Sequence, residues 1–279
     1  MRGCGHWGHA SAAHYARSGN TCAVTQRPSD HSAIERQRPL PHTALAPAIL
    51  FENDEVLCLA KPAGLATQPG KGHLRDTLLN GAFALRGEAL STLGADCDWG
   101  LLHRLDRDVS GVVLLAKNVA GYQRLRLAFA QREIEKRYLA VVQGKPPSAH
   151  GMCSRPIREE RRGEVKIATC PLRGGEVAQT RWTTLAREAT YSVLEVELIT
   201  GRLHQIRVHM AALGCPIMGD RMYRADAPPN TSRLPKGRVA EPLLLHAWKI
   251  GFAPAATKPL LWVSCPLPPS MCAYWSDGR

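Results

Sequence analysis

Asp106 lies in the segment GLLHRLDRDVSGVVLLAKN, between the basic residues Arg104 and Arg107 and just ahead of the small residues Ser110 and Gly111. Flanking cations favour the ionised form of a carboxylate, and loops at strand ends are where catalytic groups usually sit. Such a carboxylate can serve as a covalent nucleophile or as a base. Taken alone, an Asp beside two Arg residues is more often a surface ion pair. Asp108, two residues on, would supply the second carboxylate of a hydrolase, but residues i and i+2 of a loop need not face one substrate.

Other chemistries find little support. His204 and His209 are five residues apart, which is not a metal-ligand spacing on a helix, so a structural hydrogen-bonding role is expected rather than zinc. The nine cysteines stand singly, with no CxxC pair, and neither a zinc finger nor a disulfide framework is expected. Cys58 and Cys215, in apolar surroundings, read as small core residues. There is no Gly-rich phosphate loop and no dinucleotide fingerprint, and no cofactor is expected.

The elements that must position Asp106 follow from periodicity and turn signals. ILFENDEVLCLAKPAG reads as a hairpin turning at Asn53 and Asp54. A helix is predicted near Asp76 to Leu85, with Asp76 as its cap. GVVLLAKN reads as a buried strand. Asn118 then caps a helix whose apolar side is Tyr122, Leu125, Leu127 and Phe129, and KRYLAVVQG returns as a strand. Between Lys145 and Ala178 the chain is polar and Arg-rich, an exposed hairpin or loop rather than core. YSVLEVELIT alternates as a strand. Ile206, Met210 and Leu213 then define a helix stopped by Gly214, with Arg207 one residue past core-facing Ile206 and free to point the other way. Two late strands, in EPLLLHAWKIGF and KPLLWVSCPLP, close the fold.

Several of these segments together resemble the RluA family of pseudouridine synthases. HRLDRDVSG resembles the family's HRLD signature, KPAGLATQPG at 61–70 its KPAG segment, and KRYLAVVQG its Tyr-bearing strand. GRLHQIRVHMAALGCPIMGDRMY at 201–223 is similar to the GRxHQIRVH helix and the turn beyond it, and LLLHAWKIGF to the closing strand. The matches run in order over residues 49 to 270. Val109 replaces the usual Thr, and Glu176 stands where Lys is common.

The resemblance implies an α+β pseudouridine synthase catalytic fold: a mixed, largely antiparallel sheet with surrounding helices and a central RNA-binding cleft. It implies that uridine in structured rRNA or tRNA is isomerised with Asp106 as the catalytic carboxylate, either as nucleophile at the anomeric carbon or as base at its neighbour. It further implies that Tyr138 packs on the target base and helps remove the proton from ring carbon 5, and that Arg207 pairs with Asp106. Lys61, Arg104 and Arg202 are expected at RNA phosphates, with His204 and Gln205 on the RNA side. The rival class is a non-catalytic RNA clamp on the same fold.

Composition agrees with an RNA partner. Lys plus Arg number 36 against 24 Asp plus Glu, a formal charge of +12, which suits a polyanion. The 279 residues, 44% of them hydrophobic, suffice for a sizeable core. Residues 1–44 carry no apolar periodicity and are expected to be a disordered basic leader, with the catalytic domain over 45–275 and no S4-type RNA-binding module. No membrane segment is expected, a monomer is the default, and DNA is not expected as a partner. The expected location is cytoplasmic, or mitochondrial if the leader is a transit peptide.

Overall fold

The structure, a computed structural model, describes residues 37–70, 72–163, 165–224, 241–254 and 258–275. The leader expected over 1–44 lies outside the described residues up to residue 36. Residues nearer its end are tied to the body: the His42 N–H donates to the Asn80 carbonyl, and the Asn80 side chain donates to that of Leu40.

Strands β1 (Ile49–Glu52) and β2 (Val56–Lys61) form the expected hairpin. Asn53 makes its turn by accepting from the backbone N–H groups of Glu55 and Val56 at 2.9 and 2.8 Å. Helix α1 (Leu78–Ser91) follows, capped by Thr77 and not, as expected, by Asp76. Thr77 and Asn80 exchange side-chain and backbone bonds in a capping box, while Asp76 is drawn off to His73 at 2.7 Å. Strand β3 (Ser110–Ala116) is buried along its whole length, as its continuous apolar run requires. Asn118 caps α2 (Val119–Gln131) as read. Tyr122 and Leu125 are buried, but Leu127 is 57% exposed because two residues on from Leu125 the helix has turned away.

After β4 (Glu135–Gln143) the polar connection holds more structure than expected. It carries β5 (His150–Cys153) and an Arg-rich hairpin of β6 (Arg158–Arg162) and β7 (Val165–Thr169), over a small cluster of Ile157, Ala168, Ala178 and Val208. Strand β8 (Thr180–Arg187) escaped the sequence reading, although Thr180 and Trp182 point in and Arg181 and Thr183 out, the alternation of a half-buried strand. Strand β9 (Tyr191–Leu198), helix α3 (Gln205–Ala212), strands β10 (Leu245–Phe252) and β11 (Leu261–Ser264) and the short helix α4 (Pro269–Cys272) complete the described chain. No helix among the described residues is long and apolar enough to cross a membrane.

The sheet order is β1-β2-β3-β10-β4-β9-β8-β5, with β11 also on β10, and β6-β7 as a separate ribbon. Pairing is antiparallel except between β3 and β10. One edge of β10 is shared: His246 and Ala247 face β3, and residues from Lys249 onward face β11. A buried chain of bonds stitches this junction. His246 donates to the Cys265 carbonyl at 3.1 Å and accepts from the Ser110 hydroxyl at 2.9 Å. Gly111 lies there at φ +127°, where a Cβ would run into the backbone of Ala247. Cys58 and Cys215 are fully buried, as read.

Strand β4 divides the core by its alternation. Tyr138, Ala140 and Val142 join the main cluster, whereas Leu139 and Val141 face Leu244 and Met271 on the opposite side. Tyr138 is therefore placed on the cleft face by strand period alone.

Candidate active site and RNA cleft

An open cleft of about 570 Å³ lies between the Asp106 loop, β4, the end of β9 and the start of α3, and Asp106, Tyr138, His204 and Arg207 all line it. The Asp106 loop is fastened on both sides of the carboxylate. Before it, Thr67 forms a reciprocal pair with residue 105: its hydroxyl donates to the Leu105 carbonyl at 2.7 Å and accepts the Leu105 N–H at 3.2 Å. After it, the Arg107 carbonyl accepts from Gly64 N–H and from Lys61 Nζ, both at 2.9 Å. Within the loop, Val109 N–H donates to the Asp106 carbonyl.

Lys61 requires a correction. It is 1% exposed, and its ammonium donates to the carbonyls of Pro62, Leu65 and Arg107 at 2.6–2.9 Å. Three acceptors match its three hydrogens, leaving none for a phosphate. Burial pushes its pKa down to about 7, with the Asp108 and Asp106 charges pulling the other way. The KPAG segment thus reaches the site as the brace of the Asp106 loop.

Arg207 joins two carboxylates. Its Nε and Nη2 make a two-pronged pair with Asp220 at 2.7 and 3.0 Å, and its Nη1 donates to Asp106 Oδ2 at 3.1 Å. Burial alone would weaken the guanidinium's hold on its proton, but Asp220 and Asp106 more than reverse this. The Asp220 side chain is fully buried. Burial would raise its carboxyl, yet Arg207 and the N–H groups of Met222 and Tyr223 hold it below the usual carboxylate range. Arg207 does turn away from Ile206, but into this buried pair rather than toward solvent.

Tyr138 is nearly buried; burial, and then the Asp106 charge, raise its phenol well above the usual value. His204 begins α3 at φ +50°, with Nε2 3.7 Å from Asp106 Oδ2. Burial lowers its pKa, against the pull of Asp106, which favours the neutral ring. Gln205 also requires correction, being buried and fully bonded within the protein. Its carbonyl accepts from Thr200 and the Arg202 N–H, and its amide donates to Gln179 and Thr180. His209 bridges Thr180 and the Arg155 carbonyl, the structural role expected of it.

Arg104 is exposed at the cleft, where Arg126, Arg132 and Lys136 add positive charge. Arg202 is also at the mouth, but its guanidinium is paired with Glu176. Sequence reasoning missed Thr67, Asp220 and Tyr223, although all three fall inside segments that resemble the family. It also missed His103, whose Nε2 accepts the Leu114 N–H at 3.0 Å.

A loop carboxylate bonded to a buried arginine beside a sheet tyrosine, in a basic cleft, suits the class of enzymes that apply one carboxylate to a polyanionic substrate. The comparisons with known proteins narrow the class. The family model described as RNA pseudouridylate synthase matches residues 55–212. An uncharacterized RNA pseudouridine synthase of Mycobacterium bovis is 36% identical over 237 residues, covering 84% of this chain and 74% of that protein. The ribosomal large subunit pseudouridine synthase D of Nitrosomonas europaea is 36% identical over 231 residues, or 81% of this chain and 63% of that one. Among solved structures, human RNA pseudouridylate synthase domain containing 4 superimposes with a TM-score of 0.61 at 26% identity, covering 82% of this chain and 93% of that one. The chain belongs to the RNA pseudouridine synthase family, isomerases acting on RNA, and has their fold.

Replacing Lys61 by Met tests the brace. The Pro62 and Leu65 carbonyls lose the ammonium while that of Arg107 keeps only Gly64 N–H, and stability measured by thermal melting should fall by about 2 kcal/mol. The salt dependence of RNA binding should not change, whereas loss of a phosphate ligand would flatten the log-log slope by about 0.7.

Proposed function

We propose that this protein isomerises specific uridines in structured ribosomal RNA, with Asp106 as the catalytic carboxylate and Tyr138 and Arg207 as its partners; transfer RNA is the second substrate class. The observation that carries this reading is the 3.1 Å bond from Arg207 to Asp106 Oδ2, in a cleft where the Asp106 side chain keeps 26% of its exposure. Ribosomal RNA is favoured by the name of the Nitrosomonas europaea relative, a ribosomal large subunit pseudouridine synthase D.

The reaction breaks the bond from base nitrogen to anomeric carbon, turns the uracil, and joins the same sugar carbon to ring carbon 5. No redox change is involved, and no cofactor is invoked. With Oδ2 engaged by Arg207, the other oxygen of Asp106 is the one offered to the sugar, as nucleophile at the anomeric carbon or as base at its neighbour. Tyr138 supplies a flat ring against the base. Its phenol, held protonated by burial, suits stacking and proton relay rather than service as a resident phenolate. A uridine within a stem or loop must be extruded to reach the cleft, and Arg104, Arg126, Arg132 and Lys136 offer charge for the flanking phosphates. We further propose that the protein acts as a monomer in the cytoplasm, without DNA or membrane partners.

Carbodiimide mapping of pseudouridine on total RNA, with and without the gene, is the direct test. Specific sites should vanish on deletion and return with wild type but not with Asp106→Ala. Full restoration by Asp106→Ala would favour a non-catalytic RNA clamp instead.

Glu176 tunes the grip on RNA in this reading, since it occupies the Arg202 guanidinium. Glu176→Lys should release Arg202 and tighten binding. The log-log salt slope should steepen by about 0.7 for each further phosphate neutralised, and an unchanged slope would count against a phosphate role for Arg202.

A further inference from the structure

Beyond Asp106, Tyr138 and Arg207, one ring faces the reacting carboxylate: His204, whose Nε2 stands 3.7 Å from Asp106 Oδ2. That is the oxygen already bonded by Arg207 Nη1. The separation is too long for a hydrogen bond at rest, yet a shift of under 1 Å would close it. What His204 can do at that oxygen depends on which ring nitrogen carries its proton.

Two contacts of Tyr223 Oη favour one tautomer. Tyr223 Oη lies 2.8 Å from His204 Nδ1, and the same oxygen accepts the backbone N–H of Ala168 at 2.9 Å. The phenol has one hydrogen, and among the described residues His204 Nδ1 is the acceptor in reach. A phenol that donates there leaves Nδ1 as acceptor and puts the ring proton on Nε2. The opposite arrangement would leave the phenol hydrogen without an acceptor among the described residues and turn a nitrogen lone pair toward a carboxylate oxygen. Both ends of the ring therefore call for the same tautomer.

Tyr223 is well placed to hold it. Its backbone N–H donates to Asp220, the anchor of Arg207, and its ring lies under the Arg207 guanidinium at 5.1 Å. Burial raises its phenol to about 12, so the hydroxyl keeps its proton. Ala168 belongs to β7, so the Arg-rich hairpin is linked by the same oxygen to the catalytic side chains.

Resting on the function proposed above, we propose that Tyr223 is a positioning residue that fixes His204 as an Nε2–H donor toward Asp106 Oδ2, so that Arg207 and His204 together hold one carboxylate oxygen and leave the other for the sugar. Closing the His204 contact when the uridine enters stabilises Oδ2 as charge on the carboxylate changes. A neutral donor does this without adding a second buried cation beside Arg207.

The test combines nitrogen-15 histidine NMR on the full-length protein without RNA with single-turnover kinetics on a modified RNA target. In wild type, the His204 shifts should report a protonated Nε2 and an unprotonated Nδ1. Tyr223→Phe keeps the ring under Arg207 and removes only the hydroxyl. It should move His204 toward a mixture of tautomers and slow the saturated turnover about tenfold, with the RNA Kd within twofold of wild type. In a His204→Gln background, whose amide needs no tautomer control, Tyr223→Phe should cost little further turnover. A wild-type Nδ1–H tautomer overturns the proposal, as does a Tyr223→Phe variant with unchanged turnover or a loss fully additive with His204→Gln. Matching RNA affinity and melting temperature exclude simple misfolding. An inactive wild type would strike the function reading, while the RNA-free spectra still decide the tautomer.

Discussion

The guanidinium of Arg207 lies between two carboxylates, one sealed in the protein and one open to the cleft. A buried carboxylate is tolerated only when its charge is met and its lone pairs are filled. Asp220 achieves this with two bonds from Arg207 and two from the backbone of its own turn. That turn depends on Gly219, at φ +76°, where a Cβ would collide with the Pro242 carbonyl. With Nε and Nη2 committed to Asp220, Arg207 has little freedom left. Its remaining nitrogen is delivered to Asp106 as a fixed donor, which is the preorganisation a charge-bearing reaction needs.

Asp106 must be held as firmly from its own side. The loop has no regular structure, and its order comes from two side chains and one backbone N–H that imitate a strand partner. Thr67 bonds both backbone groups of residue 105, and Lys61 and Gly64 converge on the carbonyl of residue 107. The strand it feeds, β3, is locked to β10 by the Ser110, His246 and Cys265 chain at the point where β10 changes neighbours. Carboxylate and arginine thus come from distant parts of the sequence and meet because the sheet brings both to one face.

Much of this was legible in the sequence where periodicity and local chemistry act alone. The hairpin turn at Asn53, the Asn118 cap, the strand bearing Tyr138 and the helix bearing Arg207 are all local facts. Asp106 and Arg207 as partners came from the family resemblance of whole segments. What stayed hidden depends on tertiary burial. A lysine in a KPAG turn reads as a phosphate ligand until three carbonyls are found around it, and Gln205 reads as polar surface until its amide is seen to tie β8 to the start of α3. Asp220 falls within its family-like segment, yet nothing in its spacing shows that it lies behind Arg207.

Asp220 holds the guanidinium that reaches Asp106, and in the proposed function it thereby aims Arg207 at the reacting carboxylate; Asp220→Asn preserves volume and removes the buried charge. The measurement is the single-turnover rate at saturating RNA. A loss on the order of 10²-fold is predicted, as for a catalytic contact displaced by about 1 Å, with RNA affinity little changed. A rate within about twofold of wild type in a folded variant would mean that Arg207 holds Asp106 without its buried anchor, and that Asp220 does not aim it.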